Sequence, residues 1–537
     1  MHRSFATAGP RIKLWITQKK WMILAALLLT FSAFAAFVVL RWPFSQQRIV
    51  RSLQETFPAT VTFQNFRPTY FPHPGCVAEG VSFRRLGSPA QTPPIVTIQK
   101  LQIQSHYLDL LFRPGYLARI TTRRFLVQVP PVGTEVQQTG WRKMPSSIRV
   151  GEIVLDGSVV EIARTDSKAA LRFDIHKLRL TSVSEKAALN YDAAFHNALP
   201  PGEISARGRF GPYNSGNAGE TAIAGEYDFQ NADLGVFEGI SGALSSQDKF
   251  QGKLKRIETR GTVDVPNFEV TRSKHSVHLM SKFHAFVDGT NGDVTLERVS
   301  AAFLKTRVEA KGEIVGTSGT HGKTATVDLT GADGKIQDVL RLFVREPKPP
   351  LNGVTEFRAH VVVPPGNERF LQTVRLSGDF GIAEGQFTKP STQETVGDFS
   401  ERASGEKPED QDPADKERVI SSLSGHVELR DAIATFTNFS FVVPGATAQM
   451  HGTYGLESRK VDLHGTLKST AELSKMTSGV KSVLLKPFDA LFKKKRAGAV
   501  VPVHLIGTYD NPQPGLDIAS KKSASKKSSP ESTSAAN

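Results

Sequence analysis

From residue 59 onward the chain repeats one device. Short runs carry an apolar side chain at every second position, and each is cut after about ten residues by Gly, Pro, Asn or Asp. Phe125, Val127 and Val129 alternate in this way, as do Val374 with Leu376, Phe439 with Phe441 and Val443, and Val501 with Val503 and Leu505. Period two sends successive side chains to opposite faces, so these runs predict short strands with one apolar face. Asp156-Gly157, Asp288-Gly289, Asn291-Gly292 and Asn352-Gly353 accept the positive φ that two-residue hairpins require. The expected fold is mainly β, an elongated antiparallel meander with a few short helices.

Three stretches follow a helical period instead. Ile49, Val50, Leu53 and Phe57 predict a short amphipathic helix. Ile336, Val339, Leu340, Phe343 and Val344 recur at i, i+3, i+4, i+7 and i+8 and stop before Pro347, predicting a helical connector over residues 331–350 between two sheet-rich regions. Across residues 471–496, Leu473, Met476, Val480, Val483, Leu484, Phe488, Leu491 and Phe492 form an apolar stripe among lysines. That pattern fits first a helix capping a sheet end, and as an alternative one adsorbed on an anionic bilayer. Residues 390–418 and 516–537 are rich in charge, Ser and Pro and poor in apolar groups, so both are expected to be disordered.

Residues 21–40, WMILAALLLTFSAFAAFVVL, form an uncharged apolar run with no counterpart later in the chain. Twenty helical residues span roughly 30 Å, the thickness of a hydrocarbon core, so Trp21, Leu28, Phe34 and Leu40 are expected on one transmembrane helix. Arg3, Arg11, Lys13, Lys19 and Lys20 precede the run, which holds residues 1–20 in the cytoplasm and sends the rest across the membrane. The competing reading is a cleaved signal peptide, since Ala33-Phe34-Ala35 has small-x-small form.

Cys76 is the one cysteine, which excludes an intramolecular disulfide. The net charge of +15 is concentrated partly in the N-terminal arm, Lys493 to Arg496, and Lys521, Lys522, Lys526 and Lys527. For a chain at a membrane, such blocks point to anionic head groups, and no nucleic-acid motif accompanies them. GTSGTHGKT at residues 316–324 resembles a phosphate loop, but the position five before the Gly322-Lys323-Thr324 triplet is Thr317, so no nucleotide is expected. No HExxH, cysteine pair or G-x-S-x-G elbow is present, and the histidines are scattered. The reading is of a protein that is not an enzyme and holds no metal or cofactor.

The order of these elements carries a resemblance. TVTFQNFRPTYFPHPGCVAEGVSF and PIVTIQKLQIQSHYLDLLFRPGYLARITTRRFLVQVP, following the apolar run and short helix, resemble the N-terminal region of AsmA-like proteins. IRVGEIVLDGSVVEIAR resembles their internal strand pair, and GKIQDVLRLFVREPKPPLNGVTEFRAHVVVPPG, LSGDFGIAEGQF and LSGHVELRDAIATFTNFSFVVPGATAQMHGTYGL resemble their C-terminal region. The similarity covers most of residues 20–515 and rests on order and spacing. It implies an N-terminal β-rich region at 41–330 and a C-terminal one at 351–515.

The resemblance further implies a single-pass protein of the inner membrane of diderm bacteria, with its bulk in the periplasm. Its curved sheet would form a β-groove holding phospholipid acyl chains, in the service of phospholipid transport between membranes or outer-membrane biogenesis. Partners would be the inner membrane, lipid acyl chains and other envelope proteins. Val374, Leu376, Phe380, Phe436, Phe439, Phe441 and Val443 are then expected to line the groove. The alternative is an envelope scaffold whose sheet is packed shut, affecting outer-membrane protein or lipopolysaccharide assembly.

Overall fold

The computed structural model describes residues 25–30, 32, 42–56, 59–87, 93–113, 115–129, 148–163, 170–316, 322–365, 369–404, 419–469, 500–509 and 511–517. Among them no helix is long and apolar enough to cross a membrane. Residues 25–30, which include Leu28, are helical and exposed, whereas Trp21, Phe34 and Leu40 lie outside the described residues, as do residues 471–496, 405–418 and 518–537. The chain divides into two compact bodies, one of Met1–Gln128, Glu135–Ser158 and Thr181–Glu185, the other of Val129–Thr134, Val159–Leu180 and Lys186–Asn537.

The first body contains helix α1 (Gln46–Thr56), strands β1 (Ala59–Thr62), β2 (Asn65–Thr69), β3 (Gly75–Arg85) and β4 (Val96–Gln104), helix α2 (Tyr107–Phe112), and most of β5 (Tyr116–Val129) and β6 (Arg149–Ile162). Strand β3 is central and pairs antiparallel with β1, β2 and β4. Its buried residues change parity, Cys76 and Ala78 giving way to Val81 and Phe83. The switch occurs at Gly80, whose φ of 61° breaks the alternation while the register with β4 is kept, Glu79↔Lys100 and Val81↔Ile98. Ile49 and Leu53 of α1 pack on this face with Trp42, Phe44, Ile98 and Ile103, closing a conventional core.

Strand β7 (Leu171–Ser184) belongs to the second body up to Leu180, and is followed there by β8 (Leu189–Ala198), β9 (Pro201–Phe210), β10 (Ala222–Asp233), the two-residue β11 (Ile240–Ser241), β12 (Ala243–Lys253), β13 (Arg256–Val270), β14 (Ser276–Val287), β15 (Val294–Phe303), β16 (Thr306–Gly316) and β17 (Lys323–Lys335). Helix α3 (Ile336–Phe343) leads to β18 (Leu351–Val363), the single turn α4 (Phe370–Thr373), β19 (Arg375–Phe387) and helix α5 (Pro390–Ser404). Strands β20 (Ser421–Arg430), β21 (Ile433–Val443), β22 (Ala446–Gly455), β23 (Lys460–Ser469), β24 (Val500–Thr508) and β25 (Asn511–Leu516) complete it.

From β12 onward each strand pairs antiparallel with the next, as the alternating pattern leads one to expect. The ladder passes α3 without a break, because β17 and β18 pair from Ala325↔Val363 to Lys335↔Val354. The predicted helix therefore sits on the sheet and does not separate two regions. Two Gly dipeptides also differ from expectation. Gly157 lies inside β6 and Gly353 inside β18, so neither positive φ belongs to a hairpin turn, and at Gly353 it serves a bulge, where the register shifts between Asn352 and Val354.

Residues 390–418 are a correction in their first half, because Pro390–Ser404 is helix α5. Val396, Phe399 and Ala403 place it on Val443, Ala446, Leu467 and Val503. Ser400 Oγ donates to the Pro444 carbonyl at 2.9 Å, and Gln393 accepts from the Phe387 N–H at 2.8 Å while donating to the Val419 carbonyl at 2.9 Å. Few apolar groups suffice when polar side chains tie both ends to neighbouring strands.

Candidate functional site

Directly opposed residues of an antiparallel pair share a face, so the register sorts every side chain of the second body. One row runs Phe283, Val299, Ala310, Leu329, Ala359, Gly378, Val427 and Phe436, each the partner of the one before. It continues through Gly452, Leu463 and Leu505. A row on the other face runs Asp328, His360, Ser377, Glu428, Thr435 and Thr453. That polar face carries exposed pairs such as His360 with Asp328 and His426 with Asp379, both 2.8 Å, and Arg298 with Glu309 at 3.0 Å. Each exposed pair contributes about 0–1 kcal/mol, so together they fix register and keep the face wet more than they hold the fold.

The apolar face lacks a matching second layer among the described residues. Helix α3 covers one part of it, with Leu342 against Val277 and Phe303 and Ile336 against Leu351 and Ile382. Helix α5 covers another. Elsewhere the side chains of the row are half-buried. Burial on this face pushes the phenols that lie on it upward, Tyr191 to about 12 and Tyr227 in the same direction.

This face is rolled. Arg272, in the turn after β13, donates to the Leu456 carbonyl, in the turn after β22. Nine strand intervals laid flat would separate those turns by roughly 43 Å at ~4.8 Å per interval, so the sheet must bend back on itself. Arg459 pairs with Glu346 at 3.7 Å and Arg369 with Glu457 at 3.8 Å, joining the same turn to the segments after α3 and before α4. The apolar face is inside the bend, because α3 packs against it at both β14–β15 and β18–β19.

Inside the bend lies a cleft of about 850 Å³. Leu340, Phe343 and Val344 line it from the α3 side, and Phe436, Tyr454, Val461, Leu463 and Leu505 from the sheet. Its charged lining is Arg272, Arg345, Arg459 and Glu346, and the Arg459 guanidinium sits 4.9 Å from the centre of the Tyr509 ring. Size and composition suit a small amphiphile: an apolar wall, a few polar groups, and an excess of positive charge.

The seven residues expected to line a groove separate into three situations. Phe436 lines the cleft. Phe380 and Phe439 share its face, with ring centroids 6.3 Å apart and each about 6 Å from Phe436, and Leu376 and Phe441 fall on that face by register. Val374 and Val443 are corrections, being only 4% and 3% exposed. Val443 is sealed beneath α5, and Phe441 packs against the same cluster. Arg272, Phe343, Tyr454, Arg459 and Leu463 were not foreseen, since they come from turns and strands far apart in sequence and meet only once the sheet has rolled.

Other candidates resolve into ordinary structure. Gly316 ends β16 and Lys323 begins β17, and the amide of the first and the ammonium of the second both donate to Asp293, at 3.0 and 2.9 Å. The strand-to-helix setting of a phosphate loop is absent there. Among the scattered histidines His284 meets Glu258 at 3.0 Å, while the nearby Asp288 carboxylate accepts from the Thr290 amide. Cys76 is buried, and its thiol is pushed up to about 12 by that burial. Among the described residues no three His, Cys, Asp or Glu side chains converge on a metal position.

No family model, curated protein or solved structure matches the chain.

Proposed function

We propose that the second body is a lipid-binding trough, and that the chain is an AsmA-like protein anchored in an inner membrane, assisting phospholipid transport or outer-membrane biogenesis from the periplasmic side. The observation that supports this reading is the continuous apolar row from Phe283 to Leu505, rolled inward around α3 and opening into the cleft. Continuous apolar surface without a protein cover is a binding surface. Each methylene withdrawn from water contributes about 0.8 kcal/mol, so acyl chains have ample drive to occupy it. Arg272, Arg345 and Arg459 supply donors for an anionic head group.

A second reading, a packed envelope scaffold, is favoured by α3 and α5, which close parts of the same face. One experiment separates them. Lipid retained by the detergent-purified chain is identified by mass spectrometry, with a single-chain detergent control, for the natural chain and for Leu463→Asp. The trough requires co-purified phospholipid in the natural chain and its loss in the variant with the melting transition kept. Absence of lipid, or collapse of the Leu463→Asp fold, favours the scaffold.

A further inference from the structure

The first body exposes large apolar side chains at one end of its sheet. Phe71, in the turn between β2 and β3, is 88% exposed, and Leu108, Leu111 and Phe112 of α2 are 70%, 69% and 73% exposed. They belong to one surface: Tyr107 Oη donates to the Tyr70 carbonyl, and the His73 and His106 rings stand 5.6 Å apart. The placement of Trp42 relates this patch to the apolar run. Its ring is 4.6 Å from that of Tyr70, beside Phe71, and Trp42 follows the apolar run 21–40 by two residues. At no more than ~3.6 Å per residue, the end of that run lies within about 7 Å of Trp42.

We propose that this patch is a membrane-docking foot, pressed into the interface of the bilayer that holds residues 21–40. The inference rests on the reading of that run as an anchor. Phe71, Leu108, Leu111 and Phe112 enter the acyl boundary, as the apolar face of an interfacial helix does. The exposed guanidinium of Arg113, 3.7 Å from Asp109, extends from the α2 terminus to lipid phosphates. A tether alone leaves a body free to tumble. The foot gives the first body a fixed orientation on the membrane.

The test uses the full chain reconstituted in phosphatidylethanolamine–phosphatidylglycerol liposomes. Phe71→Cys, Phe112→Cys and, as control on the polar face of β12, Gln247→Cys are each labelled with bimane, the buried Cys76 staying silent. Lipids spin-labelled near the head of the acyl chain should remove most of the emission at positions 71 and 112 and leave position 247 unchanged, with iodide giving the reverse order. Floating proteoliposomes in which 71 and 112 behave like 247 would overturn the foot and leave the anchor standing. Disulfide-linked dimers through position 112, without lipid quenching, would likewise overturn it in favour of a second copy. A chain that does not float overturns the anchor and the foot together.

Discussion

The ring of Phe283 occupies the space into which a side chain on its cross-strand partner Gly261 would project, a Cβ there lying 2.5 Å from the ring. The relationship recurs on the same face: Phe250 lies over Gly225, Phe357 over Gly331, and Phe380 beside Gly425. An aromatic ring shields the bare backbone of the glycine, and the glycine lets the inner side of a rolled sheet stay thin.

Gly261→Ala should therefore cost about 1–3 kcal/mol of stability, because the ring has to move. Gly316→Ala, where the nearest atom is Asp293 Oδ1 at 3.9 Å, should stay within about 0.5 kcal/mol of the natural chain. Urea unfolding measures both. In Gly261→Ala/Phe283→Ala the two losses should be less than additive.

Val443→Asp should lower the melting transition strongly where Leu463→Asp does not. The first places a carboxylate in the closed cluster under α5, at a cost of about 3 kcal/mol or more, whereas the second faces the cleft and keeps its water. Circular dichroism melts of the two variants make the comparison, and equal transitions would contradict the assignment of Val443 to a sealed core.

Deleting residues 390–404 should destabilise the second body by on the order of 3 kcal/mol, since Val443, Ala446, Leu467 and Val503 lose their cover. Replacing residues 405–418 with a short Gly/Ser linker should leave the melting temperature where it is, given their lack of apolar side chains. Scanning calorimetry of both deletions checks the contrast.

His464 and Asp517 make stability depend on pH in both directions. Asp517 accepts from His464 at 2.8 Å and from His504 at 2.7 Å, and Asp462 stands 2.9 Å from the other nitrogen of His464. The Asp517 bond, ahead of the Asp462 one, raises the His464 pKa, while His464, then His504, lowers that of Asp517. The raised His464 value contributes stability fully below about 6.5 and loses it as pH rises through the folded value. The lowered Asp517 value contributes fully above about 3.9 and loses it as pH falls through its folded value. The difference in melting temperature between the natural chain and His464→Asn should peak between those limits and decline on either side. A difference independent of pH would refute the coupling.

Local period revealed most of the strands and α3, because alternation and the i, i+3, i+4 rows depend only on neighbours in sequence. Covering was not legible. Phe439 and Val443 have the same parity within one alternating run, yet Phe439 stands in an open aromatic group and Val443 lies under a helix that composition alone reads as disorder. Val396, Phe399 and Ala403 carried the helical spacing of α5, diluted among charges. The pairing of aromatics with glycines needs the register, and the cleft needs the roll that brings Arg272 to Leu456. Both are set by tertiary contacts that no window of the sequence contains.

The roll has a seam, and beside the packing of α3 three polar contacts cross it: Arg272 on the Leu456 carbonyl, Arg369 on Glu457, Arg459 on Glu346. None of these belongs to the backbone ladder. The charged pairs are partly exposed, each about 0–1 kcal/mol, and weaken as salt screens them. The two charged pairs of the seam should therefore weaken as ionic strength rises, at salt concentrations that leave the strand ladder intact.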